Sequence, residues 1–195
     1  MFFCQVSITE SIALADSKGL DDAISLLLSL EKKCRVYNDF HNLKEVCLHM
    51  VRLARSKGDW DKLNSTLAVI SKRRSQSKMA ISGIVAEAMG YLDQTPDLDT
   101  KIALLKTLMD ICEGKIYVES ESAQLHLMLA LIYEGKGDIS GACDMIQDVH
   151  VETYGSMSKK EKAEYILQQI RLNLVKGDYV RALIQSRKMN RKVSH

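Results

Sequence analysis

Lys57-Gly58-Asp59-Trp60 is the stretch on which the fold turns, because the same step returns as Lys136-Gly137-Asp138-Ile139 and Lys176-Gly177-Asp178-Tyr179, with a shorter version at Lys18-Gly19. The gaps between Gly19, Gly58, Gly137 and Gly177 are 39, 79 and 40 residues. Pro96-Asp97 bisects the wide gap, so five units of about 40 residues follow one another. Glycine adopts the left-handed conformation that closes a helix, and a lysine in the last turn complements the negative end of the helix dipole. The aspartate that follows Gly58, Gly137 and Gly177 is suited to cap the next helix by accepting from its free N–H groups. Each step therefore predicts a tight helical hairpin.

The flanking segments carry apolar residues at helical spacing. Leu43, Val46, Cys47, Met50 and Leu53 precede the second turn, Leu125, Met128, Leu129 and Ile132 the fourth, and Ile166, Ile170 and Leu174 the fifth. Behind the turns, Ala23, Leu63, Ala142 and Ala182 fall at nearly equivalent positions, small or apolar where two helices must approach. Trp60, Ile139 and Tyr179 are expected to wedge between hairpins. Ser158-Lys159-Lys160-Glu161 is a capping box that starts a helix and leaves Val151 to Met157 as the connection before it. The third unit opens at Thr95-Pro96-Asp97, with proline expected in the first helical turn. Only Lys115 to Val118 is β-prone, and it is too short to change the class. The expectation is an all-α chain, a right-handed superhelical solenoid of about five hairpins resembling tetratricopeptide arrays. With one proline and no low-complexity stretch, residues 1–195 read as one array without a linker, fraying after Ile184.

An apolar content of 46% over 195 residues supports a substantial core. The 27 basic and 25 acidic residues are interspersed and give a net charge of +2, too balanced to define a nucleic-acid or membrane surface by itself. No apolar run approaches the roughly 20 residues that cross a bilayer. Met1 to Thr9 has no basic residue ahead of an apolar stretch and does not read as a secretory signal. Five scattered cysteines, Cys4, Cys34, Cys47, Cys112 and Cys143, fit reduced thiols in a core better than a disulfide framework. These features point to a cytoplasmic and nuclear protein.

His41, Glu45 and His49 share one helical face and form the best candidate metal site, but the preferred reading is a solvated face opposite Leu43, Val46 and Met50. Cys143 and His150 lack a third partner, and a buried structural thiol accounts for Cys143. Gly135-Lys136-Gly137 lies between two helices, without the strand that precedes a phosphate-binding loop. No catalytic, cofactor or metal site is expected. The cluster Lys72, Arg73, Arg74 with Lys78 could address nucleic acid, but without interleaved aromatics in a nearly neutral chain an acidic protein partner is the better reading. Tyr154, beside Gly155, either packs down to fix its loop or meets a partner. A metal-binding or nucleic-acid-binding helical-repeat protein is the alternative from another functional class.

Four stretches, Ser71-Lys-Arg-Arg-Ser-Gln76, Glu113-Gly-Lys-Ile-Tyr-Val-Glu119, Val151-Glu-Thr-Tyr-Gly-Ser-Met157 and Glu164-Tyr-Ile-Leu-Gln-Gln-Ile-Arg171, closely resemble the non-ATPase subunit 12 family of the 26S proteasome lid, and Leu28-Ser-Leu-Glu-Lys32 continues the similarity. The resemblance implies a PCI-family scaffold subunit with an arm of stacked hairpins, followed in the family by a winged-helix module that residues 1–195 do not include. It implies a non-catalytic role in ubiquitin-dependent degradation. The implied partners are other lid subunits, among them the deubiquitinating subunit, and parts of the base or core particle, with no nucleic acid and no membrane. The paralogous signalosome subunit is the nearest rival, and Lys72-Arg-Arg-Ser75 with Tyr154-Gly-Ser-Met157 favour the proteasome.

Overall fold

The computed structural model describes the backbone of residues 2–17 and 19–192 and the side chains of 10–17 and 19–189. Lys18 and the Cys4 side chain lie outside the described residues. Ten α-helices run in order: α1 Phe2–Ser17, α2 Leu20–Val36, α3 Phe40–Ser56, α4 Trp60–Ser71, α5 Lys78–Met89, α6 Leu98–Cys112, α7 Glu119–Gly135, α8 Ile139–Ile146, α9 Lys159–Lys176 and α10 Tyr179–Lys192. No strand occurs among the described residues, and the β-prone stretch before α7 is a 3-10 turn at Ile116–Val118. None of the described helices is long and apolar enough to cross a membrane.

The predicted hairpin turns join α1 to α2, α3 to α4, α7 to α8 and α9 to α10. Gly58, Gly137 and Gly177 sit at φ 70°, 82° and 81°, where a Cβ would be strained, and Gly19 at φ 115°. In the Asp-containing turns the aspartate serves both helices. The Asp138 N–H donates to Tyr133 O (2.9 Å), the long bond that closes a Schellman-type helix end, while its carboxylate accepts from Gly141 N (2.8 Å). Asp178 repeats this with Asn173 O (2.8 Å) and Arg181 N (3.0 Å), and Asp59 with Ala54 O (3.3 Å) and Lys62 N (2.8 Å). Asp97 caps α6 through Thr100 N (2.7 Å), so Pro96 precedes the helix instead of occupying its first turn. Ser158 and Glu161 form the reciprocal capping box that opens α9.

The chain divides into two compact units, residues 1–111 and 112–195. In the first, α3 packs against α1, α2, α4 and α5. Its stripe Leu43, Val46, Cys47 and Met50 is wholly buried, as are Leu27 of α2, Leu63, Leu67 and Ile70 of α4, and Ile84 of α5. Each large side chain taken out of water contributes about 1.5–3 kcal/mol, so these buried residues together hold the unit. In the second unit α7, α8, α9 and α10 pack each on the next, around Ala123, Ala130, Ala142, Cys143, Ile146, Tyr165, Ile166 and Leu172.

Two expectations are corrected. Tyr179 is 71% exposed and so does not wedge between hairpins, because among the described residues the buried positions of α10 are Ala182 and Gln185; Ile139, by contrast, packs on the core of its unit. The helix α10 runs on past Ile184 to Lys192. Its later turns are held by Gln185 Nε2 donating to Gln147 O (3.3 Å) and by Lys188 Nζ lying 3.1 Å from Glu152 Oε1.

Candidate protein-interaction surface

The connection from α4 to α5 runs over residues 72–77 and opens with three consecutive cations, each of which needs water. Lys72, Arg73 and Arg74 are all exposed, and Ser75 takes a left-handed φ of 60° to reverse the chain. The loop is nevertheless anchored. Gln76 Nε2 donates to Glu31 Oε1 (3.1 Å) and to Ile70 O (3.2 Å), and Arg35 Nη1 of α2 donates to Arg74 O (2.9 Å). Glu31 is fully buried, and its carboxylate also accepts from Arg35 Nε (3.0 Å). A buried carboxylate is tolerated only when paired and hydrogen-bonded, and here both partners come from the pieces it joins. The backbone is thus fixed while the cationic side chains project into solvent.

In the second unit, the loop carrying Tyr154 is anchored in a similar way. Glu119 Oε1 accepts from Gly155 N (2.7 Å) and Ser156 Oγ (3.2 Å). Tyr154 is half-buried against the core of its unit, and burial, followed by the charges of Glu119 and Glu152, raises its hydroxyl above the ordinary tyrosine value. Neither Glu31 nor Glu119 stands out in the sequence, since a single glutamate on a helix reads as a solvated charge. The loop bonds that each glutamate makes come from a turn one repeat away, beyond the reach of local spacing.

The other candidates are not gathered into sites. His49 turns its Nε2 to the buried Ser11 hydroxyl (3.0 Å), and burial, then the Arg52 charge, holds it below the ordinary histidine range. His41 is exposed, and no group of three or more metal-ligating side chains is arranged to hold an ion among the described residues. Cys143 is buried, and burial pushes its thiol up, away from the reactive thiolate. His150 faces Glu152 at 3.7 Å and Lys188 at 3.1 Å. Gly137 belongs to the turn between α7 and α8. A stacked set, Arg55 over Trp60 at 4.8 Å and over Tyr91 at 5.9 Å, braces the first unit.

These features describe an all-α helical-repeat protein whose distinctive exposed groups sit on anchored loops. The chain belongs to the family described as PSMD12/CSN4, N-terminal, whose model matches residues 22–195. It is 43% identical over 180 residues to the 26S proteasome non-ATPase regulatory subunit 12 homolog A of Arabidopsis thaliana, covering 92% of this chain and 41% of that protein. It is 40% identical to the 26S proteasome non-ATPase regulatory subunit 12 of Dictyostelium discoideum, covering 95% and 42%. To the 26S proteasome regulatory subunit RPN5 of Saccharomyces cerevisiae it is 38% identical, covering 94% and 42%. The chain therefore spans about two-fifths of the length of these relatives.

Proposed function

We propose that this chain is the helical arm of a non-catalytic scaffold subunit in the lid of the 26S proteasome regulatory particle, mediating protein–protein contacts in ubiquitin-dependent degradation. The observation that carries this reading is the 38–43% identity, over more than nine-tenths of the chain, to proteins named as proteasome regulatory subunits. The fold fits the role, because packed helical hairpins in each unit offer surface for other proteins and leave chemistry to neighbours. The partners are other lid subunits, including the deubiquitinating subunit, and parts of the base or core particle. The working compartments are the cytoplasm and nucleus.

Lys72, Arg73 and Arg74 are the primary contact residues in this reading and Tyr154 the secondary one. Their loops are held by buried or capped glutamates, so the side chains need little ordering when a partner arrives. The test is affinity purification of the tagged chain from its own source, with mass spectrometry of what is retained. Lid subunits are expected, and replacing the three cations by glutamate should reduce their recovery at unchanged helicity. Unchanged recovery would remove the loop from the interface. The description of the matching family also contains CSN4, which keeps a signalosome scaffold as the second reading. Recovery of signalosome subunits in place of lid subunits would establish that alternative.

A further inference from the structure

The basic loop shares its edge of the first unit with a second turn. Arg35 and Glu31 lie in the last two turns of α2, so their bonds to Arg74 O and Gln76 draw the α2–α3 turn up beside residues 72–77. That turn is Val36-Tyr37-Asn38-Asp39-Phe40. It leaves Val36 64%, Tyr37 81% and Phe40 47% exposed, three large apolar side chains within five residues. Its backbone is fixed, with Asn38 at φ 56° and the Asp39 carboxylate accepting from both the backbone N–H and the side-chain amide of Asn42. The loop itself has no aromatic residue; the fold supplies them from 35 residues earlier in the chain.

Charge on this edge is one-sided. Lys32 and Lys33 are exposed at the end of α2, Lys72, Arg73 and Arg74 on the loop, and Lys78 at the start of α5. The two acids nearest the α2–α3 turn are engaged, Glu31 with Arg35 and Gln76 and Asp39 with the α3 cap. A chain of net charge +2 thus concentrates cations around exposed rings. Aromatic and arginine side chains held on a rigid frame are the composition of interface hot spots. The cations cluster around one loop and the helix ends beside it, with exposed apolar side chains among them, which favours a short protein segment over a nucleic-acid backbone.

We propose that the edge formed by Val36–Phe40 and Lys72–Ser77 docks an acidic partner segment that carries a large apolar side chain. Its carboxylates meet Lys72, Arg73 and Arg74, and its apolar group covers Tyr37 and Phe40. This rests on the reading of the basic loop as a partner contact and adds to it the chemical class of the partner and the aromatic half of the site.

The test uses the purified chain and three fluorescent probes: a short peptide of alternating glutamate and phenylalanine, an all-glutamate peptide of equal length, and single-stranded oligothymidine. The Glu/Phe peptide is expected to bind more tightly than the other two. Tyr37→Ser should weaken it about tenfold, as should Arg73→Glu with Arg74→Glu. Tyr37 is so exposed that its replacement leaves folding intact, which circular dichroism would verify. Equal binding of the two peptides, or no effect of Tyr37→Ser, overturns the proposal while leaving the basic loop as an electrostatic contact. Tighter binding of oligothymidine overturns it in favour of nucleic acid. The scaffold reading stands or falls separately, on recovery of lid subunits by the unaltered chain.

Discussion

Asp138 shows how much a single residue does in a repeat of this kind. Its N–H ends α7 and its carboxylate begins α8, so neither helix has a loose end at the turn. Asp138→Ala keeps the backbone bond and loses the cap, and should cost about 1 kcal/mol in urea unfolding, with Asp138→Asn nearly neutral. Equal losses for both variants would show that the cap does not hold the turn. The Lys-Gly-Asp turns were legible because each residue type has one strong local reason to be there. The Asn38-Asp39 turn does the same work, with Asp39 N donating to Cys34 O (2.9 Å), yet it is harder to read from sequence. Asparagine takes the left-handed conformation less freely than glycine, and so marks a turn less sharply.

Among elements, the decisive contacts join turns that lie one repeat apart. Glu31 fastens α2 to the 72–77 loop; Arg35 stands four residues on in the same helix, but Gln76 becomes its partner only once the hairpins are stacked. Glu31→Ala strips the acceptor from Arg35 and Gln76 and should destabilise the first unit by about 3 kcal/mol. It should also speed tryptic cleavage after Lys72, Arg73 and Arg74 under native conditions. Cleavage at the unaltered rate would mean that the loop holds its shape without the tether. The helices themselves were legible from periodicity, and the buried stripe of α3 matches the one read from spacing. The α9 stripe matches only in part, since Ile166 is buried while Leu174 is 49% exposed. Spacing identifies an apolar face and leaves open how far a neighbouring helix covers it.

At the scale of the whole molecule, an arginine–glutamate pair bridges alternate helices in each unit. Arg52 of α3 meets Glu87 of α5 at 2.8 Å, and Arg171 of α9 meets Glu134 of α7 at 2.5 Å. The hydrogen bond from the arginine is the leading cause that holds each glutamate below its ordinary value of 4.5. A carboxyl depressed in the folded state binds its proton more readily when unfolded. The stability it adds is therefore complete above the unfolded value and is lost as pH falls through the lower folded value. The melting temperature should decline as pH drops below about 4.5, and less steeply in a Glu87→Gln, Glu134→Gln variant. An identical acid limb in that variant would assign the loss to other carboxyls. The repeat period was legible from four glycines. The grouping into units 1–111 and 112–195 was not, since Glu113-Gly114-Lys115 reads like any other turn and Gly114 at φ 69° behaves like one.

The ties between hairpins also set a schedule for the nascent chain. Arg52 to Glu87, Glu119 to Gly155, Glu134 to Arg171, Arg35 to Arg74 and Glu31 to Gln76 span 35, 36, 37, 39 and 45 residues. None has to wait for a distant part of the sequence. At about 5–20 residues per second, each hairpin would meet its partner within seconds of emerging from the ribosome. Closing such short loops carries little entropic penalty, so the hairpins of each unit can assemble progressively during synthesis.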